Sequence, residues 1–578
     1  MTTGIGSTSA ATISILETVS LFDGPFRETA DGVAHDQYAL WLGSGISFER
    51  MPRLTAVLTM ALDYLQSRID QGDPQCRFRR CLWDVLGLAN LQPAEVARID
   101  LSIPAHSWAE IEQIAKRLLL QYARALDSVP DEEPPDFLLW TAIDVVAKYT
   151  DPSKTADAEH LTIAALIIEG VASNIASANW DVLIERAVNE LGGTGAALLK
   201  VCVRAEDLRS VELRSTLYKF HGCAGLAGAD PGKYRHKLVG RQSQINGWAS
   251  RLENQVMAEA LIGIATQKPT LMIGLSAQDA NIQGLFVAAQ VRMEWPWPSH
   301  PPAYVFSEDK LGPDQQGLLQ NVYNSNYTAA TRQSIYDSAV IRAYAKPMLV
   351  ALLLSVLFRK WCALIGLVPQ LQASDKAKLI EGIRTLRDSV AGSALGIPHE
   401  DFVRSAIDKA ARAMSLFREG RIPMAGAPKY WPISSSPLQA LPTDPAVPGS
   451  GLGELSIALG LLGLIKSIGI AAVRGHEESG DLKIGALSVE TAGVHTNLFF
   501  ASNTQSALHL FANGHVSETD DAVLVHSHLI VPAATRSPKA SPGRTGIPAL
   551  REVSIAELMS SFVGAEPLLQ RFREVTAV

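Results

Sequence analysis

The sequence is poor in cysteine, has no surplus of positive charge and offers no uncharged apolar run of bilayer length, and each shortage argues against a class of protein. Five cysteines, Cys76, Cys81, Cys202, Cys223 and Cys362, are scattered with no CxxC pair among them. This argues against a disulfide framework or a structural zinc site and fits reduced thiols in the cytoplasm. Against 51 lysines and arginines stand 59 aspartates and glutamates, a net charge of −8, so nothing global draws the chain to nucleic acid or to an anionic membrane. Direct nucleic-acid binding through a local basic patch stays open. The N-terminal stretch lacks the basic segment and apolar core of a secretory signal. The one long apolar run, residues 455–473, carries three glycines and Lys466 near its middle. A central lysine costs a spanning helix about 2.5–3.5 kcal/mol, so a buried core helix is expected there, and no membrane.

A chain of 578 residues has room for two to four domains. Four apolar segments, each ending in small or polar residues, stand out: YALWLGSGIS (38–47), IASANWD (175–181), LYKFHG (217–222) and TLMIGLSAQDANIQGLF (270–286). They read as buried strands of a parallel sheet, and ligands of such sheets sit outside the carboxyl ends of the strands. The turn at Gly43, Ser44 and Gly45 has no bulk to block a phosphate and is the form in which a strand offers backbone N–H groups to one. Ser47 then leads into a helix after Pro52. Between the first and second strands, residues 74–170 repeat Leu, Ile and Ala at helical spacing.

Asn179 and His221 are the candidate chemical pair. A histidine with an ordinary pKa near ~6.5 accepts a proton from water or a sugar hydroxyl at neutral pH, and asparagine orients either partner without adding charge. Plainer readings stand beside these. Asn179 or Asp181 suits a cap for the helix VLIERA, Asp279 suits one for the helix after it, His221 suits a core or surface position, and GxG suits a tight strand-to-helix turn.

Taken in order, GSGIS, ANWD, KFHG and IGLSAQDANI resemble the sirtuin-like nucleotide-binding domain, in the divergent form found in bacterial anti-phage defence proteins, over about residues 30–290. The resemblance implies a Rossmann-like α/β sheet closed over by a helical insertion, with NAD as substrate. It implies Asn179 and His221 as the catalytic pair, Asp181 as a contact to the nicotinamide carboxamide, and Gly43, Ser44, Gly45 and Ser47 at the dinucleotide. Gly274, Ser276 and Asn281 would serve its adenosine half. The implied activity is hydrolysis of NAD to ADP-ribose and nicotinamide, as a triggered effector of anti-phage defence by NAD depletion, in a homo-oligomer or with a partner such as a short Argonaute, a helicase-type ATPase or a phage protein. Protein-deacylating sirtuins hold a four-cysteine zinc ribbon after the His-Gly motif. Here Cys223 is the only cysteine between Gly222 and Thr270, so no metal is expected and deacylation is disfavoured. A non-catalytic NAD or ADP-ribose sensor that works by assembly is the alternative.

The remaining expectations concern organisation. The sirtuin-like domain is placed at 1–299. A helical extension follows at 300–421, including an apolar helical pair interrupted at Pro347. A linker at 422–453 carries seven prolines, which no helix or central strand tolerates. The last unit, 454–578, reads as a smaller α+β domain that regulates or binds a partner. It comprises the apolar helix, four strands including one at 507–516, a basic loop with Arg536, Lys539 and Arg544, and a closing helix. Its histidines, His495, His509, His515, His526 and His528, read as strand-face residues rather than metal ligands.

Overall fold

The run ALWL forms strand β1 (Ala39–Leu42), buried at all four positions. It is continuous rather than alternating because helices cover both faces of its sheet. The computed structural model describes residues 9–193, 197–475, 481–530, 550–562 and 564–577. With β1 run β2 (Asn174–Ser177), β3 (Leu199–Cys202), β4 (Ser215–Lys219), β5 (Thr270–Ile273), β6 (Tyr304–Ser307) and β7 (Val340–Ile341). All pair in parallel, in the order β3-β4-β2-β1-β5-β6-β7. The chain leaves β1 to one side for β2 and later takes up the other side with β5, so the topological switch lies at β1, where such sheets open a crevice.

One face packs on α1 (Ala158–Ile168) and α2 (Leu183–Gly192), the other on α3 (Gln255–Gln267) and α4 (Ala280–Arg292). Every residue of α1 is buried, His160 and Glu159 included. The connection from β1 to β2 holds the helical insertion, which has a small core of its own around Leu62, Leu82, Trp108 and Leu118, and then α1, which lies inside the helical stretch expected at 74–170 but belongs to the sheet's own layer.

The first sheet runs past the expected boundary at residue 299, because β6 and β7 supply two of its strands. The apolar pair expected around Pro347 is one 22-residue helix, α5 (Ala345–Gly366). Pro347 is its third residue, where no intrahelical N–H bond is lost. It is the one helix among the described residues long and apolar enough to cross a bilayer, yet two thirds of its apolar window is buried in the fold. Helices α6 (Ala373–Gly392) and α7 (His399–Glu419) follow, then α8 (Leu452–Ser467), the apolar run. Two glycines of that run, Gly460 and Gly463, have a packing cause: a β-carbon at Gly463 would stand 1.9 Å from the carbonyl oxygen of Gly382, and one at Gly382 2.0 Å from that of Gly460. Helices α6 and α8 therefore touch backbone to backbone.

The second sheet, in the order β12-β11-β10-β9-β8, joins β8 (Ala472–Gly475), β9 (Leu487–Thr491), β10 (Val494–Ala501), β11 (Ala522–His526) and β12 (Arg551–Ser554). Its first three strands in sequence are antiparallel and its last three parallel. The stretch expected as a strand at 507–516 is instead mostly helix, α9 (Thr504–Ala512), capped by Asn503 and carrying the parallel crossover from β10 to β11. The basic loop with Arg536, Lys539 and Arg544 lies outside the described residues.

The proline-rich stretch is not a free linker. Tyr430, Ile433, Ser434, Leu441 and Asp444 are buried, and the segment straps the first sheet's helices to α5 around a fully buried ion pair. Lys360 Nζ donates to Glu169 Oε2 at 2.7 Å and to the Ser434 carbonyl at 2.6 Å. Glu169 Oε1 accepts from Tyr430 Oη at 2.8 Å and from the Ile433 N–H at 3.1 Å. Proline keeps this segment from making an α-helix or a central strand, leaving only a 3-10 helix at Leu438–Thr443, and leaves carbonyls free to satisfy a buried ammonium. Replacing Lys360 by methionine strands the Glu169 charge, a loss of about 3–5 kcal/mol. The measurement is the thermal unfolding midpoint of the full chain; a midpoint within about 1 °C of wild type would mean that the pair does not hold the strap.

Candidate active site

The candidate residues lie where neighbouring strands end. Ser177 pairs with Lys219 in register, so Asn179 and His221, each two residues further on, stand at one level beyond β2 and β4. On the other side of β2, Leu42 pairs with both Ser177 and Ile273, which sets Gly43 beside Gly274. There the two backbones cross without side chains. A β-carbon on Gly43 would stand 2.2 Å from the Gly274 carbonyl oxygen, and one on Gly45 2.6 Å from the Gly274 α-carbon. Gly274 itself has φ +61°, a conformation costly to any other residue.

This crossing corrects one expectation. The N–H of Gly43 donates to the Ile273 carbonyl and that of Gly45 to the Gly274 carbonyl, both at 3.0 Å. These two N–H groups are thus engaged inside the sheet, and the glycines supply space rather than a phosphate cradle. Ser44 and Gly45 remain exposed at the turn. Ser47, expected at the dinucleotide, is buried and bonded inward.

Asn179 is not a helix cap. Its Nδ2 donates to the Gly43 carbonyl at 3.0 Å and its backbone N–H to Ser177 Oγ at 3.1 Å, while its Oδ1 is buried with no partner. Val182 is the residue at the cap position, and Asp181, just before it, closes a local turn in which its Oδ1 accepts from the Leu183 N–H at 3.1 Å. Asp181 Oδ2 accepts from Ser47 Oγ at 2.9 Å, so each carboxylate oxygen that the resemblance aims at a carboxamide already holds one bond. Behind Ser47 stands His160, with Nε2 at 3.1 Å from the hydroxyl. The N–H of Asp157 donates to His160 Nδ1 at 3.2 Å, which fixes the proton on Nε2 and directs the relay from His160 to Ser47 to Asp181. Burial holds the His160 pKa down to about 4, against the pull of Asp181 and Asp157, so this relay is neutral at its histidine.

Lys219 is the second group that the sequence pattern did not single out. It is the last residue of β4 and almost fully buried. It donates to the Asp181 carbonyl and, at 2.8 Å, to Glu185 Oε1. Burial opposes its charge, but Glu185 and its other neighbours outweigh that and hold its pKa above the ordinary lysine value. A lysine at an inward strand position, and an Asp-x-x-His pair (157–160) opening an otherwise apolar helix, were the available signals.

His221 is 5% exposed. Its Nε2 has no partner, Nδ1 lies 3.9 Å from Asp279 Oδ2, and the ring stands edge-on to Phe220. Burial lowers its pKa, opposed by Asp279. Asn281, in the first turn of α4, is buried with Nδ2 unpartnered, whereas Ser276, five residues earlier, is exposed. Three buried polar atoms on this side of the sheet are thus unsatisfied: Asn179 Oδ1 after β2, His221 Nε2 after β4, and Asn281 Nδ2 in the first turn of α4, the helix that follows β5. Native interiors leave few such atoms unpaired. Asn179 Oδ1 is open to a donor and Asn281 Nδ2 to an acceptor.

In the second sheet, His526 has a partner that the sequence did not point to. Glu552 on the neighbouring strand lies 2.7 Å from its Nε2, and the His528 ring stands 5.4 Å away. Among the described residues no group of three or more His, Cys, Asp or Glu side chains is placed to hold a metal ion.

The family model of the SIR2-like domain matches residues 173–328, from β2 past β6. That stretch contains Asn179, Asp181, His221, Gly274, Ser276 and Asn281, and leaves out the β1 turn. With the parallel sheet it supports a sirtuin-like domain, and SIR2-like domains are in general NAD-dependent enzymes. No curated protein matches the chain.

Glu159, next to this relay, yields a pH test. Its Oε2 is buried without a partner, and burial pushes its carboxyl up to about 8, with Lys346 opposing and Asp157 adding. The folded chain then binds a proton that the unfolded chain releases near the ordinary carboxyl value, so stability falls as pH rises between them. From pH 6.5 to 8, above the window in which His160 charges, the fall is at most about 1.4 kcal/mol per pH unit. The Glu159→Gln chain lacks that slope when denatured with urea across the same range; equal slopes in both proteins would acquit Glu159.

Proposed function

We propose that the first α/β unit is an NAD+ glycohydrolase, which cleaves the bond between ribose C1′ and the nicotinamide nitrogen to give ADP-ribose and nicotinamide. What supports this reading is the trio of unsatisfied buried polar atoms after β2, after β4 and in the first turn of α4, within a sirtuin-like domain. In the reaction the C–N electron pair leaves with nicotinamide, a C1′–O bond forms to water, and the water gives up a proton. His221 accepts that proton at Nε2, directly or through a ribose hydroxyl. Asn179 orients the attacking water or the ribose through Oδ1 while its Nδ2 stays on the Gly43 carbonyl. Asp181, held by Ser47 and the Leu183 N–H, fixes the turn that carries Asn179. The side-chain-free crossing at Gly43, Gly45 and Gly274 gives the pyrophosphate room beside Ser44, and Ser276 and Asn281 serve the adenosine half.

Hydrolysis needs no acyl-peptide groove, and Cys223 is buried against Lys219 at 3.5 Å, a place that suits packing rather than a zinc ribbon. The wider role we propose is a triggered cytoplasmic effector that depletes NAD during phage infection, alone as an oligomer or with a partner protein. Asn179 and His221 are only 7% and 5% exposed, which fits a site that must open or be completed before it turns over.

In the full chain, Asn179→Ala and His221→Ala each cut nicotinamide release, read by chromatography, by about 100-fold or more, with both chains still folded by circular dichroism. His221→Ala protein with near wild-type turnover would contradict the assignment. NAD binding without nicotinamide release in the active wild-type assembly would leave a sensor instead.

A further inference from the structure

The side chain of Asp279 does not do what its position suggests. It directly precedes α4, where a carboxylate ordinarily caps first-turn N–H groups, yet it makes no side-chain capping bond. Its Oδ1 accepts a hydrogen bond from Tyr122 Oη, and its Oδ2 faces His221 Nδ1 at 3.9 Å.

Tyr122 comes from the helical insertion, in the short helix Tyr122–Ala125. Its ring packs against three separate apolar clusters: the insertion's own core, the group around Leu126 and Leu139, and the sheet face around Trp41. The hydroxyl therefore sits where insertion and sheet meet. Burial and the neighbouring Asp279 push the phenol's ionisation far above its ordinary value, so it remains a donor. On the far side of the imidazole, Nε2 is the atom with no partner.

The order is then Tyr122 O–H to Asp279 carboxylate to His221 Nδ1, with Nε2 open at the other end. A carboxylate at Nδ1 keeps the proton there and the lone pair on Nε2, and it stabilises the ring once Nε2 is protonated. Asp279 is the charged group that the structure places against the ring, with Tyr122 behind it. The 3.9 Å separation is of the kind that tightens to a hydrogen bond when substrate is bound.

We propose that Asp279 is the positioning residue for His221, and that Tyr122, by holding Asp279, ties the closed position of the helical insertion to the competence of that histidine. The proposal rests on the reading of His221 as the base of NAD+ hydrolysis, and it deepens it. The proton released by the attacking water goes to His221 Nε2; Asp279 stays ionised throughout and gains no proton.

Two measurements on the full chain test it. The first needs no turnover: in 15N-histidine NMR, with the His221 signal assigned by its loss in His221→Ala, the wild-type ring carries its proton on Nδ1. Asp279→Asn moves its titration midpoint to lower pH, because the carboxylate that favours the protonated ring is gone. An Nε2-protonated ring, or an unmoved midpoint, overturns the proposal whether or not the chain hydrolyses NAD. The second is steady-state nicotinamide release. Asp279→Asn lowers kcat at least about tenfold with KM for NAD nearly unchanged, and moves the acid limb of the kcat profile to lower pH. Tyr122→Phe lowers kcat less and leaves that limb in place, since the charge on Asp279 remains. Wild-type kcat and pH profile in Asp279→Asn would overturn the positioning role while the proposed activity stood. An activated wild-type assembly that binds NAD and releases no nicotinamide, yet shows the NMR tautomer and shift, would overturn the activity and keep the Asp279–His221 pairing.

Discussion

Where β1 and β5 end, the chain crosses itself at a distance that no β-carbon survives, with Gly43, Gly45 and Gly274 in mutual backbone contact. Much of the site hangs from this crossing. The carbonyl of Gly43 takes the amide of Asn179 and so sets which face Asn179 Oδ1 presents. The short turn Ser44–Ser47 that follows ends on Ser47, the hydroxyl between His160 and Asp181. A methyl group at Gly43 would therefore disturb three strand ends at once, although it touches only one.

Around the crossing the fold buries charge and satisfies it. Lys219 and Lys360 are both almost without solvent contact, and each is met by a carboxylate and a backbone carbonyl. Broken pairs of this kind cost far more than intact ones contribute, so they fix geometry more than they add stability. A partly buried network extends from the same relay. Asp157 is bonded to Arg50 and Lys346, Arg50 to Glu400, and Arg404 to Glu400 and Glu190. The helices α5 and α7 thus grip the rear of the site through side chains, and the later part of the chain is mechanically continuous with it.

The sequence was most readable where strands end in polar residues, since burial on both faces forces apolar runs and the switch point forces small residues. Asn179, Asp181 and His221 stood out for that reason. Their supports did not: His160, Lys219 and Tyr122 lie far along the chain from the groups that they serve or meet, 113 positions from Ser47, 38 from Asp181 and 157 from Asp279 respectively, beyond any local pattern. The misreadings have local causes. ALHLF is as apolar as a strand, and its Asn503 cap was the overlooked sign of a helix. Pro347 marks a helix start rather than a break. Prolines at 422–453 disfavour α-helix and central strand, which is a different thing from forbidding burial. Gly460 and Gly463 of α8 make room for α6, a contact that no reading of one helix alone reveals.

The most direct test of the proposed NAD site is a crystal structure of the His221→Ala chain with NAD bound. The pyrophosphate is expected beside the Ser44–Gly45 turn, the nicotinamide ribose between Asn179 and position 221, and the adenosine half against Ser276 and Asn281. A dinucleotide bound anywhere else on the chain, or a ribose out of reach of Asn179 Oδ1, would contradict the assignment.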